Sequence, residues 1–338
     1  MNPWERWQLA GGTPALPGCV PPAHQFMKPS RPFHSQRFDW GSFLGTGATM
    51  LATILIVVIL FIILGNVAYH GWAGLSWHFV SSGTATDMFD VNKAGILPMI
   101  VGTAARVILM TIMVVPVGVI TAIYLTEYAR MHSPSTRIIR GAVNNLAGVP
   151  SIVFGLFGAG FFVQFIGQGM DKVMGNTAGI WGKPALLWAS ATLAVMTLPV
   201  VIVTTEEALR AIPQGLREAS LALGATKLET ILRIVLPQAM PGILTGMILA
   251  ISRAAGEVAP ILFTGAAYYM ADMPKSLHDQ FMDLAYHVFI LSTQSPNVDA
   301  TRPLLYSTVF VLLVLTFTLN IVAVFVRANM RKKMRLLQ

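Results

Sequence analysis

Six long apolar stretches punctuate the chain, at 44–68, 96–126, 146–165, 184–205, 242–265 and 304–326. At about 1.5 Å of rise per residue, each reaches across roughly 30 Å of hydrocarbon as a helix. The first and last are the cleanest. The second contains Pro116 and Gly118 and is long enough to tilt, kink or begin before the bilayer. No heptad run, internal repeat or alternating strand pattern competes, so the pattern predicts an all-α polytopic membrane protein with six transmembrane helices. Residues 1–41 read differently: Pro3, Pro14, Pro17, Pro21, Pro22, Pro29 and Pro32 lie among Gly, Gln and His with no apolar period. They are expected to form a disordered, Pro-rich cytoplasmic tail ahead of a permease-sized membrane domain at 42–338. The tail has no secretory h-region and cleavage site, and Met27 opens a second candidate start.

Composition sharpens this picture. Of 338 residues, 54% are hydrophobic and only 11% charged, against roughly a quarter charged in a soluble chain. So few charges cannot coat a soluble particle. The single cysteine, Cys19, excludes a disulfide framework, a cysteine zinc cluster and a CxxC redox site. A net charge of +8 raises the question of nucleic acid, but the placement of the basic residues answers it. Sixteen Lys and Arg lie in the tail, after the second and fourth stretches, and at the end of the chain. Only Lys93, Lys172, Lys183, Lys275 and Arg302 lie on the other side. The asymmetry predicts both termini in the cytoplasm, with membrane lipid and not nucleic acid as a partner.

The connector at 206–236, between the fourth and fifth stretches, has its own helical punctuation. Pro213 suits a first helical turn, and Leu216, Ala219, Ser220 and Leu223 mark one weakly apolar face. Gly224 suits a left-handed stop, and Thr226 with Glu229 reads as a capping box for a second helix. Ile231, Ile234 and Val235 carry that helix to Leu236-Pro237, where the chain enters the membrane. By pattern alone, a solvated connector and a docking helix are equally good readings.

Glu218-Ala219-Ser220, Gly224 six residues after the glutamate, then Ile234 and Leu236-Pro237 resemble the EAA signature of ABC-importer permeases. Ser220 stands where a second Ala is commonest in that signature. Four further segments narrow the resemblance: GILPMIVGT at 95–103, IYLTEYA at 123–129, LAGVPSIVFGLFG at 146–158 and ISRAAGEVAPILFTG at 251–265. With these, residues 42–335 resemble the PstA-type permeases of phosphate importers. The resemblance implies an all-α, type I ABC-importer permease fold and a transport subunit without enzymatic chemistry of its own. It assigns coupling to an ATPase to Glu218, Ala219, Ser220, Gly224, Ala225, Thr226, Leu236 and Pro237. It also implies three partners: a second, PstC-type permease, a dimer of PstB-type ATPases and an external PstS-type phosphate-binding protein. The chain has no GxxxxGK[ST] phosphate loop. It therefore needs no cofactor itself, and ATP and Mg are expected on the partner ATPase.

Few polar groups lie inside the apolar stretches. Arg253 and Glu257, four residues apart, fall about 24 and 30 Å along a helix counted from Pro237. An intramembrane pair of this kind faces a cavity or another helix. It serves either as a structural ion pair or, as in phosphate-type permeases, as a cation offered to the anion with a carboxylate to temper it. Arg106 departs from the family pattern and is expected to snorkel outward or to partner Glu257. Pro150 and Ser151 make the third stretch a candidate pathway wall, because a mid-helix proline leaves a carbonyl unpaired. In the loop at 267–303, Leu277, Phe281, Leu284 and Val288 suggest an amphipathic helix along the outer surface, by default a membrane-resting element and, as the sharper alternative, a landing site for a substrate-binding protein. His278 and His287 lack a third ligand and read as interfacial. The rival readings are a permease for another oxyanion or polar solute, a polytopic membrane enzyme, and a passive anion channel.

Overall fold

The computed structural model describes residues 40–84, 89, 94–130, 133–177, 179–270 and 272–335. The expected tail lies outside them, except for Trp40 and Gly41, which already belong to the first helix, α1 (Trp40–Ala73). The chain divides into two units, 1–61 and 62–338, with the boundary inside α1. The first unit's described part, residues 40–61, is exposed on every side, so its side chains are available to lipid or a neighbouring protein.

The second unit continues α1 and adds α2 (Trp77–Ser81), α3 (Leu97–Tyr128), α4 (Pro134–Ala147) and α5 (Ser151–Met174). Then follow α6 (Leu186–Arg210), α7 (Gln214–Ala222), α8 (Lys227–Ala255), α9 (Ala259–Leu262), α10 (Leu284–Thr293) and α11 (Val298–Arg335). Among the described residues, α1, α3, α5, α6, α8 and α11 are the six helices long and apolar enough to cross a membrane. The fold is all-α.

Helix α6 is the most enclosed of the six. Its Leu193, Ala194, Met196 and Val201 form one core with Val107, Met110 and Val114 of α3, Phe154 of α5, and Ala250, Ile251 and Ala254 of α8. Burying apolar side chains in this way aligns α3, α5 and α8 around α6, while α11 packs on α8 and α10. Pro116 does not break α3, which ends instead in a π-helical turn at Tyr124–Tyr128.

Two expected spans need correction. The third begins at Ser151, not at 146, because α4 stops at Ala147 and Pro150 caps the new helix. Pro150 is therefore not a mid-helix defect, and its own carbonyl accepts the Val153 N–H at 3.0 Å. The fifth runs from Lys227 to Ala255 rather than 242–265. A π-helical turn at Ile231–Val235 absorbs the N–H that Pro237 lacks, so the second connector helix and the span are continuous. At the far end, Gly256 caps α8 and Pro260 opens α9, a proline suited to a first turn and unable to continue the previous helix.

Candidate functional site

The connector folds as its punctuation predicts. Helix α7 follows Pro213, which caps it rather than entering its first turn. Gly224 adopts φ +86°, a left-handed conformation that a side chain would strain. The capping box is complete: Thr226 Oγ1 accepts from Glu229 N at 3.2 Å, and Glu229 Oε2 accepts from Thr226 N at 2.9 Å. Ser220 is buried, with its hydroxyl 2.9 Å from that of Thr230. The departure from the common Ala thus ties the two connector helices together. The apolar face expected of Leu216, Ala219, Ser220 and Leu223 is split: Ser220 turns inward, while Leu216, Ala219 and Leu223 remain exposed beside Glu218.

The residue that seats α7 is Arg217. Its guanidinium donates to Glu127 Oε1 at 3.2 and 3.0 Å, to Ile212 O at 2.7 Å and to Leu209 O at 2.8 Å. Lys227 completes the seat, donating to the Glu127 carbonyl and lying over the Tyr128 ring. Next to it, Glu206 Oε2 receives both Arg140 at 2.9 Å and Arg210 at 3.1 Å. The Arg217 contacts bind α7 to the ends of α3 and α6, and Glu206 ties α6 to α4. Several of the basic residues counted in the charge asymmetry therefore also build this face.

At the other end of α8, Arg253 and Glu257 meet as expected, with Arg253 Nε 3.3 Å from Glu257 Oε1. The pair does not lie on one helical face, because α8 ends at Ala255 and Glu257 sits in the bend beyond it. The Arg253 side chain is 49% exposed and that of Glu257 22%. Glu257 engages Nε, and among the described residues neither Nη group has an acceptor. Gly155 of α5 touches this bend, packing against the Ala259 backbone and the Phe263 ring. Ser151, half-buried, and Pro150, exposed, lie about one turn before Gly155, so the first turn of α5 approaches the break in α8.

Arg106 overturns its expectation. It neither snorkels nor meets Glu257, but pairs with Asp283 at 2.8 Å, with both side chains 0% exposed. Its guanidinium also donates to Ala254 O at 2.9 Å and Ala255 O at 3.3 Å, the last carbonyls of α8. Asp283 is fully engaged. Its Oδ2 takes Arg106 and the Thr103 hydroxyl at 3.0 Å, while Oδ1 caps α10 through Ala285 N at 3.0 Å and Tyr286 N at 3.1 Å. Gly102 makes this approach feasible: a Cβ there would stand 2.1 Å from Met282 O. Asp283 and Thr103 were not foreseen. The available signal was that a buried arginine requires an acid, and Asp283 stands in a helix-capping position just before an apolar run.

The outer loop also differs from the expected amphipathic helix. Phe281 is buried in extended backbone bridging to Ala266, and α10 starts only at Leu284, apolar around most of its circumference. The change follows from Asp283, whose capping role fixes where the helix begins. His278 stacks edge-on to Trp181 at 5.7 Å. His287 is buried, not interfacial, with neither ring nitrogen bonded among the described residues, and burial pushes its pKa down to about 4. The Ser276 hydroxyl holds the Asp279 carboxyl below the usual range, against the opposing effect of burial and with help from the backbone N–H groups of Lys275 and Ser276 and from His278. Among the described residues, no three His, Cys, Asp or Glu side chains gather as a metal site.

Six membrane-length helices, with an anchored helix–turn–helix between the fourth and fifth, define a multi-pass membrane protein with a structured connector. The family described as binding-protein-dependent transport system inner membrane component matches residues 115–336. The chain is 30% identical over 291 residues to phosphate transport system permease protein PstA 1 of Mycobacterium tuberculosis, covering 85% of this chain and 86% of that one. It is also 30% identical over 268 residues to the probable ABC transporter permease protein YqgI of Bacillus subtilis, covering 76% and 85%. A bacterial alginate ABC transporter, solved with its pentasaccharide-bound periplasmic protein, contains a chain of the same fold. The TM-score is 0.57 at 12% identity, over 87% of this chain and 97% of that one. The chain belongs to the binding-protein-dependent inner membrane component family as a PstA-type permease, a multi-pass transport subunit of the inner membrane.

Proposed function

We propose that this permease forms half of the translocation path of an ATP-driven phosphate importer. The observation that carries this reading is Arg253, half exposed beside a break in a membrane helix, with no acceptor for either Nη group among the described residues. A guanidinium fork fits two oxygens of a tetrahedral oxyanion. Glu257, holding Nε, orients the fork and lowers the net positive charge, so that an anion binds and still leaves. Phosphate rather than another oxyanion is favoured by the naming of similar chains as phosphate transport permeases.

In this mechanism both termini are cytoplasmic, and Glu218 and Ala219 on the exposed side of α7 meet a PstB-type ATPase dimer that carries ATP and Mg. Ala225, Thr226, Leu236 and Pro237 lie along the connection from α7 into α8. A PstC-type permease supplies the other half of the path, and a PstS-type protein delivers phosphate from outside. ATP-driven closure of the ATPases moves α7, α8 follows, and the path alternates between its outward and inward openings.

The test is radiolabelled phosphate uptake at low external concentration in host cells deleted for this chain and complemented with it. Wild type restores uptake in the presence of excess sulfate and molybdate, while Glu218→Lys and Arg253→Gln do not. Suppression of uptake by sulfate or molybdate instead identifies a broader oxyanion permease. Unchanged phosphate uptake on deletion, in a host without a second phosphate system, overturns the substrate assignment.

A further inference from the structure

We propose that Arg106 is a positioning residue for the Arg253–Glu257 pair, acting through the bend that follows Ala255; this inference rests on reading that pair as the anion site. The last carbonyls of any helix lack partners inside it. In α8 two of these, Ala254 O and Ala255 O, are taken by Arg106 Nη1 and Nη2. They directly follow Arg253. Ala254 O also accepts the Glu257 N–H at 3.3 Å, so the turn that brings Glu257 back to Arg253 closes on a carbonyl that Arg106 holds from outside.

An apolar side chain could fill the same space. Replacing a buried ion pair by well-packed apolar groups is often neutral for stability. What it cannot do is donate to two carbonyls and a carboxylate at once. The fork of Arg106 joins three elements: α3, which bears it; the end of α8; and the start of α10 through Asp283. Thr103 seconds the connection, accepting the Leu284 N–H at 3.0 Å while donating to Asp283. Ser190 of α6, with its hydroxyl 3.3 Å from Arg106 O, adds a fourth element on the backbone side. The outer end of α8 is thereby fixed to its neighbours, whereas its cytoplasmic end continues from the docking loop. Movement of α7 then tilts α8 about a held outer end, and Arg253 and Glu257 keep their mutual geometry through the cycle.

The experiment uses the assembled transporter with its binding protein in excess, measuring maximal phosphate uptake per assembled complex, basal ATP hydrolysis and thermal stability. Arg106→Met/Asp283→Asn removes both charges and keeps an amide oxygen to cap α10. The expected result is near-normal assembly and basal hydrolysis with maximal uptake about tenfold lower. In an Arg253→Lys background the same pair of changes has little further effect, since both act on one geometry. Arg106→Lys, which retains the charge without the fork, is also slow, and it carries the test if the double variant does not assemble. Wild-type uptake per complex in these variants, or losses fully additive with Arg253→Lys, overturns the positioning role. Wild-type uptake in Arg253→Gln rejects the anion-site reading itself, which separates the two failures.

Discussion

Replacing Arg217 by methionine tests how α7 is held. The guanidinium makes four donor contacts, two to Glu127 and one each to Leu209 O and Ile212 O, with side-chain exposures of 17% for Arg217 and 10% for Glu127. Removing it leaves a mostly buried carboxylate and two carbonyls without their donor. Breaking a fully buried pair costs about 3–5 kcal/mol, and hydrogen bonds to charged groups contribute about 1.5–3 kcal/mol each. Discounting for residual solvent access, the seat of α7 should weaken by about 2–3 kcal/mol. Adding Glu127→Gln to Arg217→Met removes the orphaned charge and should recover about 1 kcal/mol of that loss. Amide exchange of residues 214–222 in the assembled transporter reads the local effect, and phosphate transported per ATP hydrolysed reads its consequence. The expectation is faster exchange at α7 and ATP hydrolysis that moves less phosphate. Wild-type exchange and a wild-type ratio in Arg217→Met would refute the idea that this contact fastens α7.

Gly224→Ala forces a side chain into a conformation at φ +86° and should cost about 1 kcal/mol at the connector, read as a lower thermal midpoint and weaker ATPase binding. Gly102→Ala places a Cβ 2.1 Å from a backbone oxygen, so it should lower the yield of folded permease sharply, whereas Gly160→Ala, with open space around it, should not. Thr226→Ala removes the capping box and should destabilise the start of α8 by about 1 kcal/mol, visible as faster exchange at residues 227–230. His287, with a pKa of about 4 in the fold against 6.5 ordinarily, is protonated first in the unfolded chain. Stability is therefore full above pH 6.5 and falls as pH drops toward 4, by about 2 kcal/mol at pH 5. Thermal unfolding in detergent at pH 7 and 5 should show that drop, and His287→Leu should flatten it.

The features legible from sequence were those governed by local physics. Gly224 and the Thr226–Glu229 box are set by backbone conformation and by hydrogen bonds three residues apart, and both stand where the sequence places them. All six spans exist where apolar length and hydropathy place them, and the second and fourth begin within two residues of the expected start. The errors have two causes, local caps passed over and contacts made at long range. Pro150 and the Leu277–Val288 pattern were read as parts of continuous helices, yet each helix starts at a cap, at Pro150 and at Asp283. The partner of Arg106 lies 177 positions away in sequence, in a loop whose acids look like surface charge. Nothing in spacing reveals a pairing made by tertiary packing.

Three arginines show how burial, rather than residue type, separates structural from functional groups in this membrane domain. Arg106 is sealed at 0% exposure with its Nη groups engaged on carbonyls and a carboxylate, so no solute reaches it. Arg217, at 17%, uses its fork on the chain's own Glu127 and helix-end carbonyls and acts through the helix it seats. Arg253, at 49%, engages Glu257 through Nε and, among the described residues, leaves the fork open. In the sequence Arg253 has an acid four residues on and Arg106 has none within reach, yet the cost of placing an arginine in an apolar stretch requires only that each find a partner or water. Which one can hold an incoming anion follows from the donors left over after the fold has used its share. By that measure Arg253 is the candidate, and Arg106 matters to transport only through the bend it holds.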